Sequence, residues 1–370
     1  MIRKTSFIAL ASIAATLVAT PGEAQTRLAY AGYVADSHVA MRTGLVPYFE
    51  GLKENTGGEI VWDLFPGGSM VDAKGTLGAV RDRVIDGGLI VDLYFTSELP
   101  AARLWSDLAL FGDDGVAVSG AVNEVFFSVC PSCRQNYLDN NIQPLALYST
   151  PRYLLQCTSP ISDLASIAGK KVRASGSWGR LIAAMGGTPL NLPGDQIYEA
   201  LQRGVADCTV APIGFLRDYG LWDSVRYVLD VSLGTYHGGM VMDINTGTWA
   251  DLSTEERQAH IDLLPELARN VAQNYAEEEG EIKRIAEEEK GIEWVSPSED
   301  LVDFMEEYRK DELETVIATA KERGVEGAEE LALAMVETIE KWNQIVEEMD
   351  GDYDVFEDAL RKNAFSHIEP

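Results

Sequence analysis

Hydrophobic positions in the N-terminal and middle parts of the chain switch repeatedly between a period of two and a period near 3.6. Leu28 to Tyr33 is a short apolar run, followed by a polar loop with Asp36, Ser37 and His38. From about Val39 to Asn55, Leu45, Phe49 and Leu52 recur at helical spacing, and Thr56-Gly57-Gly58 supplies a glycine stop. Ile60, Trp62 and Leu64 alternate, which predicts a strand over 59–65. Pro66-Gly67-Gly68-Ser69 turns the chain into a helix expected over 71–85, Asp86-Gly87-Gly88 closes it, and 89–95 reads as a third strand. The pattern then repeats. A long extended stretch over 144–157 leads to a short helix opening at Ile161, a strand over 171–174 and a helix over 177–185. Further strands are expected over 188–192 and 206–210, with a helix over 195–203 between them. Strand and helix in alternation are the mark of an open α/β sheet.

The last third is helical. Ser253 and Glu256 fit a capping box that opens a long helix running toward Lys290, bent at Pro265. Leu331, Met335, Ile339, Trp342 and Val346 form an apolar stripe on a later helix. The charge runs between them are solvated helix faces. Asp350-Gly351-Asp352-Tyr353-Asp354 begins like a calcium loop. Val355 stands at the required glycine, however, and Arg361 at the terminal carboxylate, so the loop is rejected.

Composition adds three constraints. First, Arg3 and Lys4 precede an apolar run, Phe7 to Val18, that is too short to span a bilayer, and Gly22 and Ala24 follow as small residues. Residues 1–24 therefore read as a signal peptide, and the mature chain is expected in the periplasm. Second, the length exceeds what a single core normally supports, which points to two lobes. Third, the formal net charge is −29. That field argues against nucleic acid or anionic lipid as a partner, and it repels an anionic ligand, which local arginines must then hold at short range.

The four cysteines, Cys130, Cys133, Cys157 and Cys208, belong to an oxidising compartment. They allow three connectivities, of which Cys130–Cys133 with Cys157–Cys208 is the one taken here. Cys130-Pro-Ser-Cys133 has redox-motif spacing but follows Val122–Val129, which reads as an apolar helix or loop entry rather than a strand. Nothing has the spacing of a zinc site. The sequence carries no Gly-x-Ser-x-Gly elbow, no His-Glu-x-x-His and no P-loop, and its four histidines are scattered. No enzyme activity and no cofactor are expected.

Two arginines at strand positions stand out. Arg152 lies in Ser149-Thr150-Pro151-Arg152-Tyr153, and Arg173 ends Lys170-Lys171-Val172-Arg173, where a strand gives way to a helix through Ser175 and Ser177. In open α/β folds ligands bind beyond the carboxyl ends of strands, and an arginine there can grip a carboxylate through two parallel hydrogen bonds.

At these residues the chain resembles the solute receptors of TRAP transporters, of the C4-dicarboxylate-binding type. The likeness is carried by Lys170-Lys171-Val172-Arg173, Met185-Gly186-Gly187-Thr188-Pro189 and Tyr198-Glu199-Ala200-Leu201-Gln202-Arg203-Gly204-Val205-Ala206-Asp207. Asp36-Ser37-His38, Thr56-Gly57-Gly58-Glu59-Ile60, Phe65-Pro66-Gly67-Gly68 and Thr248-Trp249-Ala250-Asp251-Leu252-Ser253 follow in the family's order. The resemblance covers most of the chain beyond residue 24. It implies an α/β, two-lobed periplasmic binding protein with a cleft between the lobes, a long helix spanning both, and C-terminal helices. It places residues 25–149 with 237–276 in lobe I and 150–236 with 277–370 in lobe II. It further implies a monomeric receptor that binds a small-molecule carboxylate and hands it to the small and large TRAP membrane subunits.

Site residues follow from the same resemblance. Arg173 matches the arginine that pairs with a ligand carboxylate, and Arg152 a second arginine near it. Tyr33, Ser37 and His38 map to the first loop of the site, and Leu93 to Thr96, with Tyr94 and Phe95, to the second. Ser175, Ala211 and Tyr236 complete the set. Two departures matter. Where the family often carries Glu-Asn-Pro, this chain has Cys208-Thr209-Val210-Ala211-Pro212, and Gly194 replaces a common aromatic. Trp178, Tyr94 and Phe95 add aromatic surface, Trp178 either in the cleft or in the lobe core. These changes favour an acid with an apolar or aromatic body. The alternatives are a binding protein of another transporter class, such as an ATP-driven importer, and a secreted thiol oxidoreductase using Cys130 and Cys133.

Overall fold

A computed structural model describes residues 25–370; the expected signal peptide, residues 1–24, lies outside them. Strands β1 (Thr26–Ala31), β2 (Ile60–Phe65) and β3 (Gly87–Gly88) form a parallel sheet of order β2-β1-β3. Two residues on, β4 (Ile90–Val91) begins a second sheet, in which β11 (Gly239–Asn245) lies antiparallel between β4 and β5 (Ile142–Tyr148). The buried carboxyl of Asp243 joins the two sheets by accepting the Gly88 N–H at 3.2 Å. Together they make lobe I.

Lobe II is built on six strands in the order β12-β10-β6-β9-β7-β8, namely Glu293–Val295, Tyr227–Leu229, Tyr153–Cys157, Cys208–Pro212, Lys171–Arg173 and Thr188–Leu190. The strands pass between the two lobes three times, from β5 to β6 through Ser149–Arg152, from β10 to β11 through 230–238, and from β11 to β12 through the helices of 246–292.

Several helices differ from their sequence expectation. Only Thr76–Arg81 of the 71–85 segment is helical, because Gly75 and Gly78 weaken the pattern and Asp72 holds the Gly75 N–H in a turn at 2.7 Å. The expected long helix over 253–290 is two helices. Thr254–Asp262 opens on the Ser253/Glu256 capping box, and a second helix starts at Leu264, with Pro265 in its first turn. A proline there breaks the chain direction instead of bending a continuous helix, since its missing N–H is tolerated only at a helix start. The second helix runs Leu264–Arg284 and ends in a π-helical turn, Ile285–Glu289.

Label α1 the helix Gly115–Glu124, α2 Gly176–Ala184, α3 Leu264–Arg284, α4 Glu299–Glu322, α5 Ala328–Met349 and α6 Tyr353–Asn363. Residues 277–370 were assigned to lobe II. The structure divides them: β12 joins the lobe II sheet, whereas α5 and α6 pack on α1, between β4 and β5 in the chain. The apolar stripe explains why. Trp342 is fully buried against Gly120 of α1, and its indole N–H donates to Glu124 at 2.8 Å. The cysteines pair as Cys130–Cys133 and Cys157–Cys208, the latter joining register partners of β6 and β9.

Candidate functional site

Arg173 is the last residue of β7, at the strand's carboxyl end, and it is 6% exposed. Its Nε donates to the Leu192 carbonyl at 2.8 Å and Nη1 to the Val210 carbonyl at 3.3 Å. Among the described residues it forms no ion pair, although the other arginines around the lobe junction do: Arg42 and Arg217 converge on Glu278, and Arg103 and Arg323 on Asp107. A buried guanidinium with only carbonyl partners is destabilising until an anion joins it.

Aromatic rings surround Arg173. The cavity it faces is lined by Tyr33, His38, Tyr94, Tyr148, Tyr153, Trp178, Phe215, Tyr219 and Tyr236, with Val91, Leu93, Thr150, Ser175 and Gly194. Tyr153 and Trp178 stack in parallel at 4.1 Å, and Phe215 and Tyr219 meet edge to face at 4.6 Å. Trp178 thus belongs to the cleft and also to the lobe core. Its ring is buried, and its N–H donates to the Leu233 carbonyl at 2.7 Å.

Gly194 shows what replaced the expected aromatic. A Cβ there would lie 3.1 Å from the Tyr219 hydroxyl and 3.8 Å from the Tyr33 ring. Rings from two other elements occupy the space, and the Gly194 N–H donates to the Tyr94 hydroxyl at 3.0 Å. His38 is neutral. Its Nδ1 accepts the Ala40 N–H at 3.2 Å, which leaves Nε2 to donate to the Tyr275 hydroxyl at 3.3 Å. Burial, reinforced by nearby Arg42, pushes its pKa down to about 3. Burial also raises the Tyr94 hydroxyl's pKa, against the pull of Arg173. At neutral pH the cavity wall is therefore uncharged apart from one guanidinium.

Of the residues singled out in the sequence, the structure brings together Arg173, Trp178, Ser175, Tyr33, His38, Leu93, Tyr94 and Tyr236. It does not bring in Arg152, Phe95 or Ala211. Arg152 turns to Asp230 at 3.0 Å and Glu279 at 3.6 Å in a neighbouring cavity. Phe95 packs into the main core, and Ala211 into a separate core with Ile197, Leu201 and Leu216. The hydroxyls expected at the helix start are engaged elsewhere: Ser175 donates to Asn191 at 2.7 Å and Ser177 to the Asp107 carbonyl. Tyr148, Tyr153, Phe215 and Tyr219 were missed. The only signals for them were aromatics at the ends of β5 and β6, where the chain crosses between lobes, and a Phe–Tyr pair spaced one helical turn apart.

The family model for bacterial extracellular solute-binding proteins, family 7, matches residues 31–315. This chain belongs to that family. Its structural relatives are described as TRAP solute-binding proteins, several of them as periplasmic. A marine metagenome member described as specific for aromatic acid ligands, in complex with metahydroxyphenylacetate, is 20% identical. It superposes with a TM-score of 0.78 over 86% of this chain and 100% of its own. A Bordetella bronchiseptica member with bound mandelate is also 20% identical, with a TM-score of 0.74 over 85% and 99%. A curated solute-binding protein of Roseobacter denitrificans is 24% identical over 272 residues, 69% of this chain and 78% of its own length. The two-lobed fold expected from the sequence is thus present. No single helix among the described residues is long and apolar enough to cross a membrane.

Proposed function

We propose that this chain is the periplasmic, monomeric receptor of a TRAP transporter, that it closes on a small organic acid anion, and that it delivers that anion to the membrane subunits. The observation that carries the reading is the buried Arg173 guanidinium, which forms no ion pair among the described residues and is set in a ring of aromatic side chains. A ligand carboxylate supplies the missing counter-charge, and the closed arrangement is favoured because that contact is made only when the lobes meet.

One guanidinium and neutral walls suit a single carboxylate, and the flat rings suit a flat apolar body. The mandelate and metahydroxyphenylacetate named for the relatives are acids of this shape. With Arg152 held by Asp230 and Glu279, Arg173 acts as the principal anchor.

A thermal-shift screen of the mature chain against carboxylic and sulfonic acids, amino acids and neutral sugars tests the reading. A ligand at a hundred times its Kd stabilises the folded state by about 2.7 kcal/mol. Shifts confined to monocarboxylates with ring-bearing bodies are expected. Shifts produced only by neutral or cationic compounds would overturn the account of the site while leaving a binding protein.

A further inference from the structure

The cavity at Arg173 has a larger neighbour. It encloses about 30 Å3, whereas an adjoining cavity, open to solvent, encloses about 250 Å3. Thr150 lines both. Tyr275 lines the outer one and stacks, at 6.3 Å and 12°, on Tyr148 of the inner one. Thr150 and this ring pair stand between the two spaces. An apolar cavity that takes up benzene measures about 150 Å3, so a ring-bearing acid outgrows the inner space, and the nearest additional volume is the outer one.

The two spaces differ in chemistry. The inner is aromatic around one cation. The outer contains Asp113, Asp114 and Glu279 against Arg152 alone, and Arg152 is already paired with Asp230 and Glu279. We propose that the outer cavity is a second compartment of the ligand site, taking the cationic or hydrogen-bond-donating tail of an acid whose carboxylate sits on Arg173. The inference rests on the Arg173 reading above and narrows it to acids carrying an ammonium or hydroxyl group at the end of the ring remote from the carboxylate. Glu279 keeps about a third of its side chain exposed, so its contact with the tail is a partly screened one.

Calorimetric titration with benzoate, para-ethylbenzoate and para-(aminomethyl)benzoate tests this, the last two being close in shape and different in charge. The aminomethyl acid should bind about three- to tenfold tighter than the ethyl acid, between the worth of an exposed and a buried charged contact. Glu279→Gln should shrink that gap. Ala276→Phe, at an exposed position on the outer wall, should weaken both para-substituted acids by a larger factor than it weakens benzoate. If benzoate binds but the gap is absent and neither variant changes the order, the outer compartment is refuted and the Arg173 site stands. If none of the three acids binds, the Arg173 reading falls and takes this proposal with it.

Discussion

The hydroxyl of Tyr94, just beyond β4 in lobe I, accepts the backbone N–H of Gly194, just beyond β8 in lobe II, at 3.0 Å. It is a direct bridge across the cavity that involves no ligand atom. Tyr94→Phe removes it and keeps the ring. A net hydrogen bond is worth about 0.5–1.5 kcal/mol, so affinity for the ligand should fall about two- to tenfold in a titration. Unchanged affinity would mean that the bridge does not contribute to the bound form.

Arg173→Ala should cost at least roughly tenfold in affinity, from the ~1.5–3 kcal/mol of a buried charged hydrogen bond. Arg173→Lys should recover little of it. An ammonium can supply charge but not two parallel N–H donors while also reaching the Leu192 and Val210 carbonyls. Wild-type affinity in the alanine variant would falsify the carboxylate-anchor reading.

Asp218 sets a pH dependence. Burial pushes its pKa up to about 7, against the pull of Arg217 and Arg42; the Arg217 Nε is 3.7 Å away. A carboxyl whose folded pKa is raised contributes stability in full below its unfolded value of about 3.9, and loses that contribution as pH rises through the folded value. Asp92, raised to about 6 by burial, acts in the same sense. Asp218→Asn should therefore gain melting temperature relative to wild type between pH 4 and pH 8. A difference that stays constant across that range would show that Asp218 does not titrate there.

The two disulfides should differ in worth. Cys157–Cys208 spans 51 residues and Cys130–Cys133 only 3. In the chain-entropy account, removing the longer link by paired alanine substitution costs up to about 4 kcal/mol, and the shorter much less. Denaturant midpoints of the two double variants decide it, and equal losses would contradict the assignment of stability to loop length.

Gly120→Ala would place a Cβ 2.0 Å from the Trp342 indole and force α5 away from α1. Overpacking of this kind costs about 1–3 kcal/mol. The urea midpoint should drop with an unchanged slope, and ligand affinity should hold, because neither residue lines the cavity.

The alternating strand and helix signals, Arg173, the two-lobed plan and most of the first-loop residues were legible from local pattern and family likeness. What escaped depends on contacts between distant segments. Tyr148 and Tyr153 read only as strand residues, since periodicity says which faces alternate but not which face meets the other lobe. Arg152 matches a second arginine of the family, and Ala211 stands in the segment that departs from the family's Glu-Asn-Pro. Yet Ala211 faces the lobe II core, and Arg152 is drawn off by Asp230 and Glu279, acids remote in sequence. The placement of α5 turned on one glycine opposite one tryptophan across most of the chain, which no local window contains.

The repeated crossing between lobes has a consequence for how the molecule is made. β4 and β5 share no edge until β11 arrives between them, and the lobe II sheet gains its outermost strand only at 293–295. Neither lobe is therefore a contiguous stretch of polypeptide. A nascent chain halted between Tyr148 and Gly239 holds β4 and β5 without the strand that lies between them, and no single cut divides the sequence into two self-sufficient halves.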